Sequence, residues 1–574
     1  MSRGLGRILL DSPQRMKAPL LLFLACLPIV RLEAAPRFAD RFVWVFGWNL
    51  EKDSDVVEMT KIFKTAAEHH FNGAVLSCGL DDLSKKSPDF LRRLGEVKYQ
   101  CEENGLDLIP AIFSVGYGSS ALAHDPNLAE GLPVTDAPFV VHSGEGRLVP
   151  AAAPPLKNGG FEDFDGNNAK GFDFCDQPGQ VCFADKEIKH SGQSSLRLEN
   201  FGANPYGHGR AMQKIAVQPH RSYRLTLWVK TEGLEPADAF HVEILAGDHE
   251  VAPRAFHLAA SADWQEVTML FNSLDHDSVS VYAGVWGAKS GKLWLDDWTV
   301  EETGPVNVLH RPGTPVVVRS EDGTTLYAEG KDYEPLADPH FNPWRDDGPA
   351  IPLKILPGSR IGEGQRLKVS WYHSQIIYDS QITVCMGEPE LYKIFSEEAH
   401  ILFDKLHPQS VFLCMDEIRM GGTCKACRGR NMGELLGECF TKEVGILRNE
   451  SPSVTVYSWA DMLDPNCNGH ANYYLVEGDF TGAWDHVPRG LIMAVWGGAP
   501  NEASLRFFSS RGTRTLVACY YDEDDLKNTA AWLDLAPRTP KLRGFMYTTW
   551  QQKYDLLPQF GELLRKPTQS RANP

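Results

Sequence analysis

The residues with the clearest chemical potential are carboxylates and aromatics that fall at the ends of β-like runs. The run 411–416 closes on Asp416-Glu417, 454–459 closes on Trp459 with Asp461 two residues on, and 491–496 closes on Trp496. Similarly, 516–521 closes on Tyr521 with Asp522 next, and 544–550 closes on Trp550. Carboxyl groups suit general acid–base work on a glycosidic bond. A pyranose offers C–H faces to aromatic rings and hydroxyls to carboxylates. Asp416 and Glu417 are therefore the candidate catalytic pair, and Trp459, Asp461, Trp496, Tyr521, Asp522 and Trp550 are candidate substrate contacts. His373, which closes Trp371-Tyr372-His373 after a β-rich run, is a further candidate for the same pocket. Consecutive strand residues point to opposite faces, so Asp416 and Glu417 reach one pocket only where their strand ends. A carboxylic acid wedged among Trp rings would have its pKa raised by desolvation, as a general acid needs.

The elements that must position these groups can be counted. Short apolar runs at 41–49, 71–77, 107–113, 411–416, 454–459, 491–496, 516–521 and 544–550 give eight strands, and helix-length stretches such as 55–69, 388–406 and 432–448 stand between several of them. Eight strands with intervening helices predict an α/β fold, a (β/α)8 TIM barrel, whose active site lies at the C-terminal ends of the strands. The pattern breaks after the third strand. Residues 156–303 lose helical periodicity and become short alternating runs (SSLRLEN, SYRLTLWVK, WQEVTMLF, KLWLDDWTV), which predict an all-β jelly-roll sandwich inserted into the barrel. The expected organisation is a leader at 1–35, the first part of the barrel at 36–150, the sandwich at 156–303, a β-rich excursion at 304–374 and the second part of the barrel at 375–566.

The stretch EPELYKIFSEEAHILFDKLHPQSVFLCMDEIR resembles the helix, strand and Asp-Glu pair of the β-N-acetylhexosaminidases of glycoside hydrolase family 20, and the later strand-end aromatics fall in that family's order. The resemblance implies a retaining, substrate-assisted mechanism in which Asp416 orients the substrate's 2-acetamido group and Glu417 is the acid/base. The chain departs from the family at Cys414-Met415, where the family has a glycine pair, at Gly116-Tyr117 in place of a histidine, and at Gln552 in place of an acid. The insert resembles CenC-type carbohydrate-binding modules through NGGFE at 158–162, HSGQSSLRL at 190–198, SYRLTLWVK at 222–230, Asp263-Trp264 and WLDDWTVEE at 294–302. That resemblance implies a structural calcium near Glu162 and Asp297; no cofactor is expected for catalysis.

Composition narrows the partners. With 574 residues the chain is too long for one core. A net charge of -18, without a basic stripe, disfavours nucleic acid and is compatible with a neutral glycan. Met16-Lys17, the apolar run 19–30 and Ala34-Ala35 read as a signal peptide too short to span a bilayer, which predicts a secreted or periplasmic protein with no membrane attachment after cleavage. Export permits disulfides among the twelve Cys, with Cys175/Cys182 the first pair to test. Cys424 and Cys427, with Cys439 and Cys467 further on, leave a local disulfide, free thiols and zinc all open. In the loop 116–130, His124 and Asp125 suit either function or turn capping. Two functions follow: a secreted hexosaminidase-like glycoside hydrolase acting on hexosamine-containing glycans, or a non-catalytic glycan-binding protein with a degenerate barrel. A third reading gives Asp461 or Asp522 the part of nucleophile or base on another sugar.

Overall fold

The computed structural model describes residues 37–150, 156–339 and 341–565; the leader expected at 1–35 lies outside them. Eight parallel strands close into a barrel in sequence order: β1 (Asp40–Phe46), β2 (Gly73–Ser77), β3 (Asp107–Ile112), β4 (Ser410–Leu413), β5 (Thr455–Trp459), β6 (Ile492–Trp496), β7 (Arg514–Tyr520) and β8 (Leu542–Thr548). Alternate residues such as Phe42, Trp44, Ile109, Phe412, Tyr457 and Met546 fill the interior, while the intervening ones, Val43, Val45, Leu108 and Leu413 among them, pack outward against helices. Burial on both faces is why these strands read as continuous apolar runs. The seam joins β8 to β1 from Asp40↔Gly544 to Val43↔Tyr547, and a Cβ on Gly544 would stand 1.6 Å from the Asp40 carbonyl oxygen, so only glycine fits.

The expected fold class needs correction. The described residues hold twenty-eight strands against eight α-helices, and one of those helices, Ser119–Leu122, is a single turn. The connection from β5 to β6 carries only 3-10 turns (Asp461–Leu463 and Ala483–His486) and a two-residue strand. Most strands lie outside the barrel, so the chain is mostly β rather than an α/β, helix-rich (β/α)8 TIM barrel. Counting strand-like runs located the barrel strands, but that count carries no information about helix content, which the long β insertion dominates.

The insertion between β3 and β4 contains three large sheets and a two-stranded one, Phe164–Asp165 with Asn168–Ala169. Two five-stranded sheets share one core, which includes Phe161, Leu196, Leu227, Phe240, Val281 and Trp298, and so form a sandwich. One is ordered Ala262–Asn272, Ser222–Glu235, Ser290–Glu302, Ser195–Glu199, Cys182–Asp185; the other is ordered His249–Ala255, Phe240–Ala246, Ser278–Val285, Gly209–Ala216, Phe174–Cys175. The sandwich begins and ends at one place: the Trp298 N–H donates to the Gly159 carbonyl at 2.9 Å, and a Cβ on Gly159 would lie 1.8 Å from the Trp298 carbonyl oxygen. A six-stranded sheet draws on both sides of the sandwich, since Leu132–His142 and Glu145–Leu148, from before it, pair with Arg366–His373 and Leu353–Lys354 from after it.

The sandwich edge docks on the segment leading into β4. Arg254 donates to the carbonyls of Tyr378 (2.9 Å) and Asp379 (2.6 Å), the Tyr378 N–H donates to Pro253 O (2.8 Å), and His249 hydrogen-bonds the Tyr474 carbonyl. Among the described residues no helix is long and apolar enough to cross a membrane.

Candidate functional site

Strand β4 ends at Leu413, and Asp416 and Glu417 follow in the loop at its C-terminal end. Glu417 has φ +48°, a left-handed residue, so the chain reverses there and the strict alternation of a strand no longer applies. Gly116 makes the reversal fit: a Cβ there would stand 2.1 Å from the Asp416 carbonyl oxygen and 3.0 Å from that of Glu417. Gln381 completes the brace, donating to the carbonyls of Gly116 (3.0 Å) and Glu417 (2.6 Å).

Both Glu417 carboxylate oxygens are engaged. Arg419 Nη2 lies 2.6 Å from Oε1, and the Tyr117 hydroxyl donates to Oε2. Arg419 also donates to Gln381 Oε1 and stands 4.7 Å and 5.0 Å over the rings of Tyr378 and Tyr474, whose hydroxyls are 2.6 Å apart. The Glu417 N–H donates to Asp461 Oδ2 at 2.9 Å, and Asp461 accepts further hydrogen bonds from Asn468 Nδ2 (2.8 Å) and Trp496 Nε1 (3.2 Å). Burial pushes the Asp461 carboxyl up to about 6. Asp416 rises further above the carboxylate range, through burial first and then the charges of Asp461 and Glu417. Two carboxyls that repel one another titrate as a unit, and both are pushed toward the protonated form.

The other expected site residues separate into two groups. Trp496 stacks on Tyr521 with ring centroids 6.0 Å apart, and burial together with the charges of Asp416 and Asp461 raises the Tyr521 hydroxyl's pKa, so this pair walls the carboxylates. Trp550 is 38% exposed and meets Trp44 edge-on at 5.4 Å, capping the barrel mouth. Trp459 lies beneath it, buried against Trp44 (5.3 Å) and Phe412 (4.9 Å), and belongs to the barrel core. Asp522 holds the turn after β8, accepting from the Thr549 hydroxyl and from Trp550 N (2.8 Å).

His373 is not brought to the pair. It is fully buried in the six-stranded sheet, where Asn272 Nδ2 of the sandwich donates to its Nε2 (3.0 Å) and its Nδ1 bonds Ser374 O (3.0 Å). Burial lowers its pKa to about 4, which fits a neutral ring with both nitrogens satisfied. Glu162 and Asp297 flank Gly160. The first accepts from Gln193 N (3.0 and 2.9 Å), and the second bonds His190 Nδ1 and Ser191 Oγ, each at 2.7 Å. His124 bonds the Asp81 carbonyl at 2.9 Å, and Asp125 caps the turn Pro126–Leu128. Cys175 and Cys182 are in contact as thiols.

Sequence reasoning missed Gln381, Tyr378 and Tyr474, gave Tyr117 no part in the site, and offered Arg419 or Arg428 only as a structural ion-pair partner for Glu417; the pair formed is with Arg419. Of these, Arg419 sits two residues beyond Glu417 and Tyr117 follows Gly116, so each stood beside a noted motif. The tyrosine pair carried no local signal. A cleft of about 720 Å³ opens on the same end of the barrel, lined by Phe46, Gly47, Ser77, Gly79 and Lys86 among others; neither Asp416 nor Glu417 lines it.

No protein-family model and no curated protein matches the chain. Among solved structures, a family 16 carbohydrate-binding module-2 is 18% identical over 25% of this chain and 98% of its own, with TM-score 0.20. TmCBM61, solved with β-1,4-galactotriose, is 14% identical over 26% of this chain and 99% of its own, with TM-score 0.21. A rhamnosidase from Novosphingobium sp. PP1Y is 12% identical over 90% of this chain and 55% of its own, with TM-score 0.32. Overlaps this loose bear on neither the fold nor the chemistry derived above.

Proposed function

We propose that this chain is a carbohydrate-active enzyme, a glycoside hydrolase whose acid–base chemistry is carried by Asp416, Glu417 and Asp461 at the mouth of the barrel. The observation that carries the reading is the half-buried Asp416 carboxyl, its pKa raised by burial and by two neighbouring carboxylates, beside the Trp496–Tyr521 wall. A carboxylic acid that holds its proton near neutrality and stands against aromatic faces suits protonation of a glycosidic oxygen. Glu417, gripped by Arg419 and Tyr117, is then the anion that faces the positive charge developing at the anomeric carbon.

This assignment exchanges the roles that the family resemblance implies for the pair. Hexosamine-containing glycans are the proposed substrate class, on the strength of the adjacent Asp-Glu, and export is proposed from the leader-like start of the sequence.

The test is hydrolysis of aryl glycosides, including N-acetylglucosaminides and N-acetylgalactosaminides, each with a good and a poor leaving group. Asp416→Asn should lose roughly 10²–10⁴-fold on the poor leaving group and far less on the good one, because a good leaving group departs without a proton. Glu417→Gln should lose activity on both. A wild-type chain inert on every sugar would refute the enzyme reading.

One observation favours the second reading, a glycan-binding protein. On one face of the sandwich Tyr206, 74% exposed, lies 5.7 Å from His208, and Trp286 stacks on His241 at 5.6 Å with Arg210 5.5 Å over its indole. That aromatic face suits a sugar platform; glycan-array binding lost in Trp286→Ala, by a chain inert on all glycosides, would put this reading first.

A further inference from the structure

Three cysteines and a glutamate converge behind the site. Cys385 Sγ lies 3.4 Å from Cys424 Sγ and 3.2 Å from Cys427 Sγ, and Cys427 Sγ lies 3.6 Å from Glu130 Oε2. All four residues are buried, and their ligand atoms lie within 4.8 Å of one another. The sequence had paired Cys424 and Cys427 with Cys439 and Cys467. Instead, Cys439 packs against Glu443 at 3.4 Å and Cys467 sits in the loop after Asp461.

We propose that Glu130, Cys385, Cys424 and Cys427 form a structural zinc site. Four ligands at about 2.3 Å (S) and about 2.0 Å (O) from one centre stand about 3.5–3.8 Å apart at tetrahedral angles, against 3.2–3.6 Å for the three contacts above and at most 4.8 Å for the others. The donor set, three thiolates and one carboxylate, suits Zn²⁺ and fills all four positions, so the site is closed and takes no part in catalysis.

The surroundings are built to hold it. Glu130 Oε1 accepts from Thr423 N (3.1 Å), Thr423 Oγ1 (3.0 Å) and Cys424 N (2.9 Å), which fixes the carboxylate with Oε2 turned to the sulfurs. Arg311, buried and anchored by Glu388 (2.8 Å) and by the carbonyls of Asn127 and Ala129, brings Nη2 to 3.6 Å from Cys424 Sγ and offsets part of the negative charge. A disulfide between any two of the cysteines would use only two of the four converging groups, whereas one metal ion engages all four. Zinc would tie together the loop after Pro126–Leu128, the segment before Pro389–Leu406 and the loop that carries Asp416 and Glu417. Binding exchanges three thiol protons for the ion with no redox change.

The experiment is elemental analysis of the purified full-length chain, followed by replacement with Co²⁺. Zinc in near-stoichiometric amount is expected, and Co²⁺ should give tetrahedral d–d bands and a thiolate-to-cobalt charge-transfer band. Cys424→Ser should lose that band and Cys439→Ser should keep it. Should Cys424→Ser fail to fold, the wild-type chain decides: stripping with a chelator should lower Tm, and adding Zn²⁺ alone should restore it. A disulfide among Cys385, Cys424 and Cys427 in the non-reduced chain would overturn the proposal. So would a reduced, metal-free chain that gives no thiolate–cobalt band.

Discussion

At the level of single residues, the cluster at β4 is a set of carboxyls held where water would not hold them. Burial raises Asp461, Asp81 and Asp346 each from an ordinary value near 3.8 to about 6. A raised carboxyl keeps its proton better in the folded chain than in the unfolded one. Its contribution to stability is therefore complete below about 3.8 and disappears as pH rises through 6, a loss of about 2–3 kcal/mol per group. Urea denaturation should accordingly give a higher midpoint at pH 4.5 than at pH 7.5, and Asp461→Asn should flatten the difference. Asp332 acts in the opposite sense, since Arg360 holds its carboxyl below the usual range and its contribution is lost as pH falls below 3.8; the buried neutral His373, lowered to about 4, costs stability from about 6.5 downward. Catalysis should follow the same chemistry: kcat/KM on a poor leaving group should fall on the alkaline side with an apparent pKa at or above 6 that belongs to the Asp416–Asp461 pair, and Asp461→Asn should move that limb.

Among the elements, the turn after β4 depends on a residue from the loop after β3. A methyl at Gly116 meets backbone rather than a side chain that could swing away, so Gly116→Ala must displace the Asp416–Glu417 turn. It should cost about 1–3 kcal/mol in thermal unfolding and lower kcat on every substrate, whatever the leaving group. The barrel strands were legible in the sequence because a parallel strand buried on both faces leaves an uninterrupted apolar run; the end of the run marks the site at Trp496 and Tyr521 but a core position at Trp459. Helix content was not legible in that way, because the β5–β6 connection is as long as a helix would need and is filled with turns instead. His373 ended a strand too, but register alone does not say which sheet owns a strand, and its sheet packs against the sandwich. The contact of Arg419 with Tyr117 joins residues 302 positions apart, a pairing no local pattern encodes.

Across the whole molecule, the sandwich braces the site as well as interrupting the barrel. Its edge holds Tyr378 through Arg254 and Tyr474 through His249, those two rings cradle Arg419, and Arg419 grips Glu417. Arg254→Ala removes the hydrogen bonds to Tyr378 and Asp379 and leaves the buried Asp346 without the cation 4.0 Å away. It should destabilise the chain by roughly 3–5 kcal/mol, as expected when one member of a buried charge pair is lost. Activity should fall in the same variant, measured well below its unfolding temperature, although Arg254 touches neither carboxylate.

The adjacency of Gly159 and Trp298 bears on how the chain is made. Strands β1 to β3 leave the ribosome with both flanking neighbours, β4 and β8, missing, and β4, joined to β3 through Ala111↔Phe412 and Ile112↔Leu413, is synthesised roughly 300 residues later. A sandwich that folds as soon as it emerges brings its own two ends together and takes nearly half of that separation out of the closing loop. The three-stranded start of the barrel then closes through a shorter loop, with its apolar inner face exposed to other chains for less time.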